Sequence, residues 1–379
     1  MSLHEYINAR ESHFLMARQG GHKSPCLMEN TMSQITRDKL PIESYKEQIT
    51  SCDAPFFIVE GETGSGKSTM LAIWYYLLGK KVLIAEPLVE TVIGTAEYVA
   101  ELLGVELGTV VGYRTGEYQC DSPETKILYC TTELALLREL SQHNRFQVLI
   151  LDELHQWATH QSILEAWMAK HLYQKSFPFE TVIAASATFD SEGLSNKRLN
   201  APVFKVPGRQ FPIEDRQSGS NIESDISILV KEGHDVLVFL PGEGEIKELM
   251  ASLEGINAEL IPFYSRLERA EKDKAYQFYS RSKVILATNA LETGRTVVPS
   301  QGRKLVVVDS GMERRIELVD GIETLVLRAI SKAQSKQRRG RGGRTIDGIY
   351  IDHCPTTNRP EYPVPEILRT RLDLTVLRL

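Results

Sequence analysis

FFIVEGETGSGKSTMLAIWYYLLGK, residues 56–80, sets an apolar run (56–60) before a glycine-rich turn, GETGSGKS (61–68), and a helical pattern closed by Gly79. The turn fits GxxxxGK[ST] completely, and a strand before it with a helix after it is the context that pattern needs. Its glycines let backbone N–H groups wrap a polyphosphate, and the helix N-terminus adds a favourable dipole. Gly61, Thr63, Gly64, Ser65, Gly66, Lys67, Ser68 and Thr69 are therefore expected to line a site for ATP or another NTP. Lys67 would reach the β- and γ-phosphates, and the Ser68 hydroxyl would hold Mg²⁺.

Similar runs recur on either side of this stretch. KVLIAEP (81–87), KILYC (126–130), FQVLILDE (146–153) and TVIAASAT (181–188) are short and apolar throughout, as parallel strands covered by helices on both faces are. A phosphate-binding turn requires an acidic partner at the end of another such strand, and VLILDELH supplies it. Asp152 follows Leu151 directly and is expected to share the Mg²⁺ with Ser68. Glu153 is placed to polarise an attacking water as general base.

After a Pro-, Gly- and Ser-rich stretch without period, a second series begins: DVLVFLPG (235–242), AELIPF (258–263), KVILATN (283–289), KLVVVDS (304–310) and GIYIDH (348–353). RRIELVDGIETLVLR places two β-rich runs around Asp320-Gly321, a hairpin signal spanning about 312–328. Two βα series predict an α/β protein of two tandem doubly wound parallel-sheet domains. The expected division is an N-terminal extension (1–49), a first domain (50–205), a linker (206–221) and a second domain (222–379).

Composition narrows the function class. Hydrophobic content of 42% and charged content of 25% exclude a disordered chain. Residues 1–205 carry 18 basic and 25 acidic side chains, a balance of −7, and residues 206–379 carry 26 and 25, a balance of +1. Neither half is a general polyanion magnet, so any nucleic acid must be held in a local groove. Cys26, Cys52, Cys120, Cys130 and Cys354 are scattered without CxxC spacing, which argues for a reducing compartment and against structural zinc. The charged N-terminus lacks a signal-peptide core, and no run has the length of a membrane span, so a soluble, cytoplasmic monomer without membrane contact is expected.

KQRRGRGGRT (336–345) concentrates four arginines and three glycines in ten positions. As residues alone, these read either as a flexible RGG-type segment gripping phosphates or as a catalytic arginine cluster completing the NTP site. The strand-like GIYID that follows makes a terminal tail the poorer fit.

GETGSGKST, DELH, SAT (186–188), LVFLPGEGEI (238–246), ATNALETGRT (287–296), ISKAQSKQRRGRGGRT (330–345) and PEILRTRLDLTVLRL (365–379) occur in the order found in superfamily 2 helicases. Together they most resemble the DEAH-box group, whose near relatives are the viral NS3-type helicases. The resemblance implies two RecA-like domains with the NTP site in the cleft between them. By that match Gln337 places the attacking water, and Arg341 and Arg344 are arginine fingers on the γ-phosphate. For Arg338 and Arg339 a solvated basic side chain is the plain reading. Ser186, Thr188 and His155 would couple nucleotide state to domain movement, and Tyr276 would stack on the base. Thr131, Arg138, Gly242, Thr288 and Asn289 would contact single-stranded RNA or DNA through its backbone.

The sequence departs from the group in places. Where those proteins carry an arginine pair after the second strand, EPLVETV has Leu88 and Val89; Leu154 replaces an alanine; Thr131-Thr132-Glu133 replaces a Thr-Asp-Gly stretch. The chain ends at Leu379, about where a winged helix would start in the group. The expectation is an NTP-dependent helicase or translocase whose strand channel is closed by a protein partner or further domains. The alternative is an NTPase switch acting on a protein partner with little unwinding of its own.

Overall fold

The computed structural model describes residues 40–373 apart from 63, 141–144, 175, 177, 188–189, 209–210, 293 and 355–357. Thr63 and Thr188 lie outside the described residues. In the first domain a 3-10 turn (Pro41–Tyr45) leads into α1 (Lys46–Thr50), β1 (Phe56–Gly61), α2 (Lys67–Leu77), β2 (Val82–Glu86) and α3 (Val89–Leu103). Then come β3 (Val111–Arg114), β4 (Gln119–Cys120), β5 (Ile127–Thr131), α4 (Thr132–Leu140) and β6 (Val148–Leu151). A 3-10 turn (Leu154–Gln156), α5 (Thr159–Gln174), β7 (Thr181–Ser186), α6 (Ser191–Lys197) and β8 (Val203–Val206) complete it. The sheet order is β4-β3-β5-β2-β6-β7-β1-β8, parallel except for the short β4.

Alternation along these strands explains the layers. Phe57, Val59, Ile84, Tyr129 and Ile150 face one side, where α1, α2 and α3 pack, while Phe56, Ile58, Leu83, Leu128 and Leu149 face the other, with α4 and α5. Burial on both faces is why every residue is apolar until the strand ends, where Glu86 and Asp152 emerge. Ile42 and Ile49 are fully buried in the same core, so residues 40–49 pack as part of the first domain rather than as an extension from it.

The second domain contains β9 (Ile213–Arg216), α7 (Ile222–Lys231), β10 (Asp235–Phe239), α8 (Glu243–Ser252), β11 (Ala258–Phe263) and α9 (Arg269–Asp273). It continues with β12 (Ser282–Ala287), β13 (Leu305–Asp309), β14 (Met312–Val319), β15 (Ile322–Ala329), α10 (Lys332–Gly340) and β16 (Gly348–Asp352). The parallel sheet runs β11-β12-β10-β13-β16-β9. The linker expected over 206–221 is corrected at both ends. Val206 pairs with Gly61 in the first sheet, and β9 pairs in parallel with β16 at the edge of the second. Prolines and glycines flanking a strand of four residues hid it. β14 and β15 form the expected hairpin, with Asp320 (φ 51°) and Gly321 (φ 77°) both left-handed at its turn. Among the described residues, no helix is long and apolar enough to cross a membrane.

Candidate active site

The turn after β1 is shaped by its glycines. Gly64 (φ 85°) and Gly66 (φ 95°) adopt backbone that a side chain strains, and a Cβ on Gly61 would sit 3.0 Å from Ser65 Oγ and 3.1 Å from Val206 Cβ. Gly66 stands at the N-cap of α2, so the first N–H groups of that helix open onto the turn. Lys67 is buried and folds its Nζ onto the Gly61 carbonyl, the Glu62 carbonyl (3.2 Å) and Ser65 Oγ (3.4 Å). Tyr129 donates its hydroxyl proton to the Ser68 carbonyl at 2.8 Å, tying the first turn of α2 to β5. Thr69 is buried in that turn.

β6 delivers Asp152 and Glu153 beside this turn. Asp152 is fully buried and accepts the Glu153 N–H at 2.8 Å on Oδ1. Glu153 has a left-handed backbone (φ 50°), a strain of about 1–3 kcal/mol that neighbouring structure must hold. Gln161 Nε2 supplies part of that hold, donating to the carbonyls of Asp152 (2.9 Å) and Glu153 (3.2 Å). Burial pushes the Asp152 carboxyl up, helped by the Glu153 charge, while Lys67 and Ser68 pull it down. Burial likewise lowers Lys67; Glu153 and Asp152 oppose that, and Arg344 adds to it.

Sequence reasoning missed Glu86. It ends β2 opposite Thr131 and is fully buried, with both carboxylate oxygens lacking a hydrogen-bond partner. Burial, then the charges of Asp152 and Glu153, hold it well above the usual carboxylate range. The signal was available: like Asp152, it is the first acid after an all-apolar strand.

From the second domain, α10 brings Gln337 against His155, amide nitrogen to Nε2. The other side of that ring faces Ser186, whose Oγ accepts the His155 backbone N–H (3.0 Å) and lies 3.1 Å from Nδ1. Ser186, His155 and Gln337 thus form one chain across the cleft. Burial, with Lys67 nearby, lowers His155 to a pKa of about 3, so its ring is neutral. Glu153 Oε2 lies 3.2 Å from Nδ1 without making a hydrogen bond.

KQRRGRGGRT is neither tail nor exposed patch. Gln337, Arg338, Arg341 and Gly340–Gly343 are buried. Arg341 donates from Nε to the Glu292 carbonyl (2.9 Å) and from Nη1 to that of Arg295 (3.1 Å); Arg344 Nη1 reaches the Gly294 carbonyl (3.3 Å) and Thr296 Oγ1 (3.2 Å). Burial lowers both guanidinium pKa values, Arg341 to about 10, and the Glu153 charge across the cleft partly offsets this in each. The reading of Arg338 as a solvated base is corrected: it is fully buried between Glu292 and Asp309, while Arg339 pairs with Asp215 at the surface.

Asp152 Oδ2, Glu153 Oε2, Arg341 Nη2 and Arg344 Nε are all buried without a hydrogen-bond partner. Two carboxylate oxygens from one domain and two guanidinium nitrogens from the other are the groups an Mg²⁺–triphosphate would satisfy, so the donor set fits that ligand.

The remaining candidates are less concentrated. Tyr276 packs edge-on to Phe263 at 6.2 Å with the Arg295 guanidinium 4.5 Å above its ring, and lies against the second-domain core. Thr131 ends β5, and Gly242 and Thr288 follow the carboxyl ends of β10 and β12, the side where parallel sheets bind ligands. Thr288 Oγ1 caps the next turn by accepting from Ala290 N–H (3.4 Å), and Asn289 is exposed. The Arg138 guanidinium lies 5.6 Å from the Phe146 ring, half-buried.

Residues 46–196 match the DEAD/DEAH box helicase family. Over 93% of its length the chain is 33% identical to the ATP-dependent RNA helicase HrpA of Escherichia coli (strain K12). The chain carries a superfamily 2 helicase core of the DEAD/DEAH-box type. An HrpA homolog of Haemophilus influenzae is 31% identical over 90% of this DEAH-box core. The crystal structure of the E. coli DEAH/RHA helicase HrpB superposes with a TM-score of 0.76 at 28% identity over 90% of the chain, and its fold agrees with two RecA-like domains. The core spans 29% and 28% of the lengths of the two curated relatives and 46% of the HrpB chain.

Proposed function

We propose that this chain is an NTP-hydrolysing motor core that uses ATP and Mg²⁺ and moves on or remodels single-stranded nucleic acid, RNA first. The observation that carries the reading is the set of unpartnered buried polar atoms contributed by both domains around one phosphate-binding turn. Mg²⁺, when bound, neutralises charge on the phosphates. The rest is done by side chains: Ser68 and Asp152 would hold the ion, Lys67 would grip the β- and γ-phosphates, and Glu153 would take a proton from the attacking water. Gln337 would orient that water, and Arg341 and Arg344 would offset charge developing on the transferred group. Because Gln337 and both arginines belong to the second domain, hydrolysis would weaken the bridge between the domains. The Ser186–His155–Gln337 chain would carry the change.

RNA is favoured over DNA because the curated relatives are RNA helicases by name. Thr131, Arg138, Gly242, Thr288 and Asn289 would grip the backbone, a binding weakened by salt. One observation supports the alternative of an NTPase acting on a protein partner. Glu90 follows Leu88 and Val89, where related proteins carry arginines, and it pairs with Lys272 of the second domain. ATPase assays with RNA, single-stranded DNA and duplexes separate the two readings: stimulation by single-stranded RNA is expected, and turnover indifferent to all three supports the alternative. In the same assay Lys67→Ala should abolish hydrolysis, and Glu153→Gln should keep nucleotide binding while stopping turnover. Undiminished turnover by Glu153→Gln would remove Glu153 as general base.

A further inference from the structure

Arg338 and Arg341 are the largest fully buried side chains among the described residues, and the assignments above give Arg338 no chemical step. Its guanidinium donates from Nε to Glu292 Oε1 (2.6 Å), and from Nη1 to Asp309 Oδ1 (2.8 Å) and the Met312 carbonyl (3.3 Å). It also lies 5.0 Å from the Phe239 ring. Asp309 is held in turn by the Tyr350 hydroxyl (2.9 Å) and the Gly311 N–H (2.8 Å). These bonds anchor the centre of the second sheet, at the ends of β10, β13 and β16, to α10.

Glu292 makes two connections at once. Its carboxylate holds Arg338, and its main-chain carbonyl accepts from Arg341 Nε at 2.9 Å. Arg338 and Arg341 are three residues apart, neighbours on one side of the chain as α10 ends. The loop after Glu292 supplies the remaining anchors of both fingers, the carbonyls of Gly294 and Arg295 and the hydroxyl of Thr296. Glu292, from which that loop departs, is therefore fixed to the helix that leads directly into Arg341.

We infer that the buried Glu292–Arg338–Asp309 cluster is a positioning unit that sets where Arg341 stands against the nucleotide, with Glu292 as the residue that transmits the position. The unit rests on the proposed finger role of Arg341. A removed buried ion-pair partner leaves an uncompensated charge, so the cluster keeps its geometry only as a whole. The position it sets matters because displacement of a catalytic group by about 1 Å costs roughly 10²-fold in rate.

The test uses the full 379-residue chain. Single-turnover ATP hydrolysis and the Kd of a fluorescent ADP analogue are measured for wild type, Glu292→Gln, Arg338→Lys, Arg341→Ala and the Glu292→Gln/Arg341→Ala double variant. Glu292→Gln should lose on the order of 10²-fold in rate with its nucleotide Kd within about twofold. Adding Glu292→Gln to Arg341→Ala should cost no further rate, because the unit acts through that arginine. Arg338→Lys, which keeps the charge but not the fork, should repeat the rate loss. Should Glu292→Gln fail to fold, Arg338→Lys and Asp309→Asn, singly and with Arg341→Ala, carry the same comparison. A slow Arg341→Ala beside a wild-type rate for the folded cluster variants overturns the positioning unit alone. Additive losses in the double variant, or an effect on Kd equal to that on rate, also overturn it. A wild-type rate for Arg341→Ala overturns the finger reading and the unit with it.

Discussion

His155 shows how far a single residue's surroundings fix its chemistry. In DELH it is one more polar side chain after a strand; in the fold it is buried between Ser186 and Gln337 and held neutral. The unfolded chain takes up a proton near the ordinary value of 6.5, whereas the folded chain refuses it until about pH 3. The stability from this group is therefore complete above pH 6.5 and lost as pH falls toward 3, at up to about 1.4 kcal/mol per pH unit. Denaturant unfolding at steps from pH 7 to pH 5 should show that slope in wild type and not in His155→Gln. An equal slope in both would mean another group titrates. At this scale the convergence of Lys67, Asp152 and Glu153 on one turn was legible, because the phosphate-loop pattern places a lysine at the helix start and acids after a neighbouring strand. Glu292 was not, since a buried carboxylate looks like a surface one until its neighbours are known.

At the scale of elements, α10 carries Gln337 and Arg338 and leads directly into Arg341. Its start is a capping box: the Ser331 hydroxyl accepts the Gln334 N–H (3.2 Å), and Gln334 Oε1 accepts the Ser331 N–H (2.9 Å). Gln334 Nε2 also donates to Glu313 at 2.8 Å, fixing the helix to the base of the hairpin. Ser331→Ala should cost about 1 kcal/mol, read as a lowered thermal midpoint, with the contacts of Arg341 and Arg344 otherwise unchanged. A midpoint at or above wild type would show the cap adds nothing. The parallel strands and the Asp320-Gly321 hairpin were readable because their signals are local: apolar runs of strand length and two residues that tolerate left-handed backbone. β9 was not, because a four-residue edge strand is made by its pairing with β16 rather than by its own pattern.

For the whole molecule, a few contacts hold the two domains across the cleft: Gln337 with His155, Lys272 with Glu90, Arg269 with Glu97, Lys336 with Glu62 and Glu366 with the Thr159 N–H. They are unequal. Lys272 is buried and also donates to the Ser265 carbonyl (2.7 Å), whereas Arg269 and Glu97 are 62% and 41% exposed. Lys272→Met should lower the closed-to-open ratio by roughly tenfold, about 1.4 kcal/mol, and Arg269→Met by less than about fivefold. Single-molecule FRET between dyes on the two domains reads both, and equal effects would contradict the ranking. As proposed, one hydrolytic site is completed across this cleft. Single-turnover ATP hydrolysis by Arg341→Ala, with nucleotide Kd measured alongside, is the decisive experiment. The expected result is a loss of roughly 10³–10⁵-fold in rate at nearly unchanged affinity. An unchanged rate with loss of nucleic-acid binding would contradict it, and would make the arginines of 336–345 a phosphate grip after all.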